Sequence, residues 1–276
     1  MGQSGMVSAE LDKLTMPDDP YAVVVTDAHG VRAHRGAWQE IFPWASVTKP
    51  LAAYATLIAV ERHLLDLDAP AGPPGATVRH LLAHTAGYNF SSPEVLAQPG
   101  RTRIYSNPGF DVLGEVLAEA TGMGVGEWIE QVVLVPLGMS TVIADGSPAH
   151  SATGTAEDLA TFGRELLVPT LLSAELHAEA TRVAFPGLRG TLPGFGRQQH
   201  NDWGLGFEIK TDKTPHWTGN RNSPETFGHF GQSGSFLWVD PVAGLATAYL
   251  GARPFEAWAV ELWPQVSDAV LADHAP

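Results

Sequence analysis

The chain has 276 residues, 44% of them hydrophobic and 17% charged, enough apolar mass to bury a sizeable core, which excludes general disorder. Its 30 acidic against 16 basic residues give a formal net charge of -14, a field that repels a phosphate backbone and argues against nucleic acid as a partner. No cysteine is present, which removes disulfides, thiolate nucleophiles and Cys-ligated zinc together.

The segment from Met1 to Leu14 lacks a basic start followed by an apolar run, so it does not read as a secretion signal. No stretch approaches the roughly 20 apolar residues of a membrane span. A cytoplasmic protein with no membrane partner is the expectation. Tyr21 to Thr26 is apolar and β-branched, Asp27-Ala28-His29-Gly30 has turn chemistry, and a second short run starts at Val31, so a β-hairpin is predicted. From Ser46 the apolar pattern of Leu51, Ala52, Tyr54, Ala55, Leu57 and Ile58 predicts a buried helix to about Arg62. Pro50 disfavours helical dihedrals at Lys49 and lacks an N–H, so the helix should start irregularly.

Residues 64–193 alternate Pro/Gly turns with helical stretches at 77–84, 108–121, 125–133, 155–167 and 173–182. Strands return at 203–210, 226–239 and 245–251, before an amphipathic helix at 255–272. The predicted architecture is α+β in a single domain, 1–276. A central antiparallel sheet flanked by helices draws on 20–62 and 200–276, beside a mainly helical lobe, 63–199, with a cleft between them.

A serine hydroxyl attacks well only when a base takes its proton, and Ser46-Val47-Thr48-Lys49 puts a lysine at i+3 on the same helix face. Of the four lysines, Lys13, Lys49, Lys210 and Lys213, only Lys49 has a serine three positions earlier. The free N–H groups of a helix N-terminus would stabilise charge developing in acyl transfer. Trp44, Leu51 and Tyr54 would desolvate Lys49 and lower its pKa. Taken alone, the pair also fits a solvated Ser-Lys at the start of a buried helix.

Tyr105-Ser106-Asn107 is the only Tyr-x-Asn among five tyrosines. A phenol beside Lys49 would relay a proton to a leaving group. The Asn107 amide, both donor and acceptor, would anchor Lys49 and a substrate carbonyl. By itself the tripeptide also reads as a Ser-Asn-Pro helix cap with a packed tyrosine. Gly228-His229-Phe230-Gly231 falls in a run read as one strand continuing through Gln232-Ser233-Gly234-Ser235 to a turn at Asp240-Pro241. On that reading the Gln232 and Ser46 N–H groups form an oxyanion hole. His34-Arg35-Gly36 also matches His-x-Gly, but it precedes the serine and reads as a surface turn.

These elements in this order resemble the serine β-lactamase and penicillin-binding protein superfamily, and within it the class C-like branch of class C β-lactamases, D-aminopeptidases, D,D-carboxypeptidase-like proteins and family VIII-type esterases. The segment from Val78 to Gly87 also looks like that branch's Leu-Leu-x-His-Thr-Ser-Gly, with Ala86 for Ser. The similarity runs from about Tyr21 to about Gly251.

The resemblance implies a β-lactamase/transpeptidase-like fold and a hydrolase acting on a small ester, amide or peptide without metal or cofactor. Ser46 would attack, Lys49 and Tyr105 would share proton transfer, Asn107 would position substrate, and His229 with Gly231 would form the far wall. The departure is His229, where a β-lactamase usually carries lysine; Lys210-Thr211-Asp212 and Lys213-Thr214-Pro215 lack the closing glycine and sit earlier. A largely neutral histidine grips a carboxylate less strongly, so an esterase or peptidase is expected ahead of an efficient β-lactamase.

Three rival readings stand beside this one. Gly231-Gln232-Ser233-Gly234-Ser235 is one residue short of the α/β-hydrolase Gly-x-Ser-x-Gly, which also needs a strand-to-helix turn and a downstream acid and histidine. His80 and His84 lie at i,i+4 without the glutamate of His-Glu-x-x-His, so local hydrogen bonds are expected of them rather than a metal. Trp203, Trp217 and Trp238 are candidates to line an acyl pocket, though core packing is the commoner role of such residues. A ligand-binding protein that kept the fold and lost turnover is the alternative from a non-enzyme class.

Overall fold

The computed structural model describes residues 8–275. Its centre is a six-stranded antiparallel sheet of β1 (Tyr21–Asp27), β2 (Gly30–Gly36), β3 (Glu208–Ile209), β4 (Phe227–Gly231), β5 (Ser235–Asp240) and β6 (Leu245–Gly251), in the order β2-β1-β6-β5-β4-β3. The β1–β6 pairing, from Tyr21 opposite Gly251 to Thr26 opposite Ala246, joins the two ends of the chain in one sheet. His34-Arg35-Gly36 ends strand β2 instead of forming a surface turn.

Strand side chains alternate between faces, and both faces are buried. Val23, Val25, Phe236, Trp238 and Tyr249 pack in one cluster with Trp263, Val266 and Val270 of the C-terminal helix. Ala22, Val24, Leu237, Val239 and Ala248 pack in the other with Leu159, Phe162 and Leu166. Four longer helices matter for the site: α1 (Thr48–Glu61), α2 (Asn107–Thr121), α3 (Ala156–Leu167) and α4 (Ala257–His274). Thr155 caps α3 by accepting from the Asp158 N–H at 3.1 Å, and Ser106 caps α2 by accepting from the Gly109 N–H at 3.1 Å. None of the helices among the described residues is long and apolar enough to cross a membrane.

Two strand expectations change. Residues 226–239 form a hairpin, not one strand: Gln232–Gly234 turns the chain, with Gly234 at φ +82 and its backbone close against Arg253. A side chain there would collide with the Arg253 carbonyl, so the left-handed turn depends on glycine. Of 203–210 only Glu208–Ile209 pairs as strand, because the Gly204 N–H turns back to the Phe207 carbonyl at 2.8 Å. A short hairpin, Gly190–Leu192 with Gly196–Gln198, lies where no strand was expected.

Candidate active site

Ser46 lies in a 3-10 turn, Ala45–Val47, that leads directly into α1, the irregular start that Pro50 predicts. Hydrogen bonds hold this turn from both sides. The Trp44 N–H donates to the Ala152 carbonyl at 2.8 Å, and the Trp44 carbonyl accepts from the Ser235 hydroxyl at 2.8 Å. The Thr48 hydroxyl donates to the Ala45 carbonyl at 2.7 Å. Ala45 has φ +46, a left-handed conformation that an L side chain adopts only when its surroundings impose it.

Lys49 is fully buried, and its Nζ lies 3.4 Å from Ser46 Oγ, 2.6 Å from the Tyr105 hydroxyl, 2.7 Å from Asn107 Oδ1 and 2.8 Å from the Ala149 carbonyl. Burial pulls its pKa well below the ordinary 10.5. A neutral amine has two N–H donors and one lone pair. In that neutral form the Asn107 and Ala149 oxygens, which accept only, would take the two donors and leave the lone pair to the hydroxyls of Ser46 and Tyr105.

Asn107 opens α2 and Tyr105 precedes the Ser106 cap, so the capping turn itself aims both side chains. The Asn107 N–H donates to the Phe90 carbonyl at 3.0 Å and the Ser106 hydroxyl to the Asn89 carbonyl at 2.7 Å. Desolvation pushes the Tyr105 phenol above its ordinary 10, opposed by a hydrogen bond with Ser46. Its proton therefore stays on at neutral pH.

Gly231, on β4, abuts the Ser46 turn: a Cβ there would lie 2.6 Å from the Trp44 carbonyl oxygen and 3.1 Å from the Ala45 Cβ. A Gly231→Ala variant should keep its circular dichroism spectrum yet lose about 10²-fold in kcat/KM for an ester, because the strand can hold a methyl only by displacing the nucleophile turn. Unchanged kinetics would show that the contact does not set the position of Ser46. Gln232 is exposed beside the cavity, its carbonyl accepting from the Phe255 N–H at 2.9 Å and its Nε2 donating to the Phe255 carbonyl at 3.1 Å.

His229 is buried, and its Nδ1 meets the Phe230 carbonyl at 2.6 Å, which puts the proton on Nδ1 and leaves Nε2 a bare acceptor without a partner among the described residues. Burial, with Lys49 nearby, pushes its pKa down to about 3. The ring is therefore neutral.

Two parts of the site, the contacts of His84 and the cluster at Glu208, escape sequence reasoning. His84 does more than bond locally. Its Nδ1 accepts from the Ser106 N–H at 3.1 Å, and its ring lies 4.6 Å from both Tyr105 and Trp203. Of the three tryptophans weighed as pocket lining or core, Trp203 lines the cavity, whereas Trp217 and Trp238 are core. Glu208, buried at the sheet edge, binds Lys213 as an ion pair, accepts from His216 Nε2 at 2.9 Å and from Trp217 Nε1 at 2.8 Å. Burial alone would push the Glu208 carboxyl up, but His216 and Lys213 outweigh it and hold it well below the usual range. Lys-Thr beyond β3 signalled an incomplete motif, not an ion pair, and no spacing rule connects these residues.

The cavity at Ser46 measures about 70 Å³ and is walled by Phe90, Tyr105, Leu192, Trp203 and His229. A larger cavity, about 930 Å³, lies elsewhere along Leu166, His177 and Phe227 and contains none of this chemistry. A serine at a helix start with a buried amine of lowered basicity, a phenol and an amide around it is the set of groups that nucleophilic catalysis by a serine requires.

The family model described as Beta-lactamase matches residues 21–271, and the chain belongs to that family of hydrolases. A beta-lactamase (Mb2281c) from Mycobacterium bovis is 53% identical and superposes with a TM-score of 0.92, covering 93% of this chain and 96% of that one. EstCE1, a hydrolase with promiscuous acyltransferase activity, shares the fold at 20% identity and TM-score 0.74, over 91% of this chain and 93% of its own. Curated relatives from Salmonella paratyphi B and Salmonella newport, named as candidate D-alanyl-D-alanine carboxypeptidases, are 25% identical over 57% of this chain and 46% of theirs. The chain thus spans about half the length of those relatives.

Proposed function

We propose that the chain hydrolyses an ester or amide in two steps, acylation of Ser46 and deacylation by water, with an ester of a short acyl group as the preferred substrate. The observation that carries this reading is the buried Lys49 amine within hydrogen-bonding reach of two pure acceptors and of the Ser46 and Tyr105 hydroxyls, an arrangement that in the neutral form offers the lone pair to those hydroxyls. On this reading Lys49 takes the Ser46 proton as Oγ bonds to the carbonyl carbon, and as the carbonyl–leaving-group bond breaks Tyr105 gives its proton to the departing group and is reprotonated by Lys49, 2.6 Å away. The Ser46 and Gln232 N–H groups hold the oxyanion, and the Asn107 amide N–H groups face the substrate. Gly231 gives the close approach and His229 the far wall.

Two features favour an ester over a penicillin. His229 is neutral where a carboxylate would want a cation, and a cavity of about 70 Å³ is small beside the roughly 300–1,000 Å³ of pockets that hold drug-sized ligands. The test is the intact mass of wild type and Ser46→Ala after brief exposure to p-nitrophenyl acetate and, separately, to a penicillin. The expected result is an acetyl adduct or turnover in wild type only, faster with the ester. No adduct and no turnover with either reagent would favour the ligand-binding alternative, and turnover by Ser46→Ala would remove Ser46 as nucleophile.

A further inference from the structure

A groove of about 610 Å³ begins at the rim of the Ser46 cavity, sharing Phe90, Tyr105 and Pro193 with it. Its floor is a tie between two distant segments: the Arg103 N–H and the Thr102 hydroxyl both donate to the Arg189 carbonyl at 3.1 Å, and Arg103 bridges to Gly190 in parallel register. Arg103, Arg189 and Arg197 line this groove, and no aspartate or glutamate does. In a chain of net charge -14 with only 16 basic residues, a groove with one sign of charge, opposite to that of the whole molecule, calls for an explanation.

Arg103 is itself a buried cation. It is 2% exposed, and its guanidinium donates to the carbonyls of Ala83 at 2.6 Å, Ala184 at 2.7 Å and Phe185 at 3.1 Å, while Nε has no partner among the described residues. Carbonyls orient a cation without cancelling its charge. Among the described residues no carboxylate lies within ion-pairing distance of Arg103, Arg189 or Arg197. Asp202 acts on Arg103 from farther away and is itself bonded by the Thr211 hydroxyl at 2.9 Å. Burial lowers the Arg103 pKa only to about 10, so the charge persists at neutral pH. Buried charges are ordinarily paired. Here no carboxylate touches the guanidinium and Asp202 acts only from a distance, so the charge of Arg103 adds to the positive field of the groove that it lines.

Resting on the hydrolase reading, we propose that this groove is an anion subsite that holds a carboxylate on the leaving group of the substrate. The leaving group is assigned because the groove starts at Tyr105, the phenol placed to protonate it, while the small cavity at Ser46 takes the acyl part. Arg103 provides a fixed field from below, and the exposed Arg189 and Arg197 close on the carboxylate from the rim.

The test compares 4-acetoxybenzoate with its neutral methyl ester, which have the same acyl group, and adds monophenyl succinate, whose carboxylate is on the acyl side. In Arg189→Glu/Arg197→Glu, kcat/KM for 4-acetoxybenzoate relative to the methyl ester should fall about tenfold, the scale of two exposed charge contacts reversed, and the fall should shrink in high salt. The methyl ester alone should be hydrolysed as by wild type. An unchanged ratio, or parallel loss on both esters, would overturn the subsite. A selective loss on monophenyl succinate instead would overturn its assignment to the leaving group. If wild type hydrolysed none of the three, the hydrolase reading would fail first and the subsite with it.

Discussion

Lys49→Met is expected to lower kcat/KM for a p-nitrophenyl ester by about 10³-fold with the fold retained, the range general-base catalysis contributes. Methionine fills much the same volume but offers no lone pair to Ser46. Wild-type activity should rise with pH on an acid limb placed below the ordinary lysine value, since the working form is the neutral amine and burial already favours it. His229, at about 3, adds no limb between pH 5 and 8. Tyr105, pushed above 10, keeps its proton across the same window. Near-wild-type turnover by Lys49→Met, or an acid limb at the unshifted lysine pKa, would remove Lys49 as the base.

The same shift links to stability, with a sign that can be checked. Lys49 has a lower pKa folded than unfolded, so between the lowered value and 10.5 the unfolded chain binds more protons, and its contribution to stability rises with pH through that window. Urea unfolding at several pH values should show that rise in wild type and a smaller one in Lys49→Met.

Glu208→Ala should cost about 3–5 kcal/mol in urea unfolding, the penalty for leaving buried charge without its partner. Glu208 and Lys213 are both almost fully buried, and the carboxylate also satisfies His216 and Trp217. Its removal leaves an ammonium with the Asp202 carbonyl at 2.8 Å as its remaining hydrogen-bond acceptor. The double variant Glu208→Leu/Lys213→Met should be less destabilised than the sum of the single changes, by about 1–3 kcal/mol, because it removes both charges at once. Strict additivity would mean that the pair is not coupled. Activity should fall as well, since Glu208 pairs with Gly228 in the strand that carries His229 and Gly231.

Local chemistry made part of this molecule readable in advance. Helical periodicity puts Ser46 and Lys49 on one face, Pro50 predicts the irregular entry to α1, and the Ser-Asn-Pro cap marks the turn that presents Tyr105 and Asn107. Short apolar runs at 21–26 and 245–251 mark two strands, each now seen to lie inside the sheet rather than at its edge. These features depend on neighbours a few residues apart, where backbone geometry leaves few options.

Motif order anticipated Tyr105 and Asn107 beside Lys49, but only the tertiary structure supplied the contacts themselves and added the Ala149 carbonyl. The ties of Lys49 to Tyr105, Asn107 and Ala149 span 56, 58 and 100 residues, distances over which periodicity says nothing about proximity. The hairpin at Gln232–Gly234 follows from a left-handed glycine packed against Arg253, a contact set by the returning chain rather than by the apolar run that suggested a single strand. The Glu208 ion pair and the unpaired Arg103 are likewise products of packing. Whether a buried charge finds a partner depends on which distant segment the β1–β6 pairing and the helices on either face bring beside it.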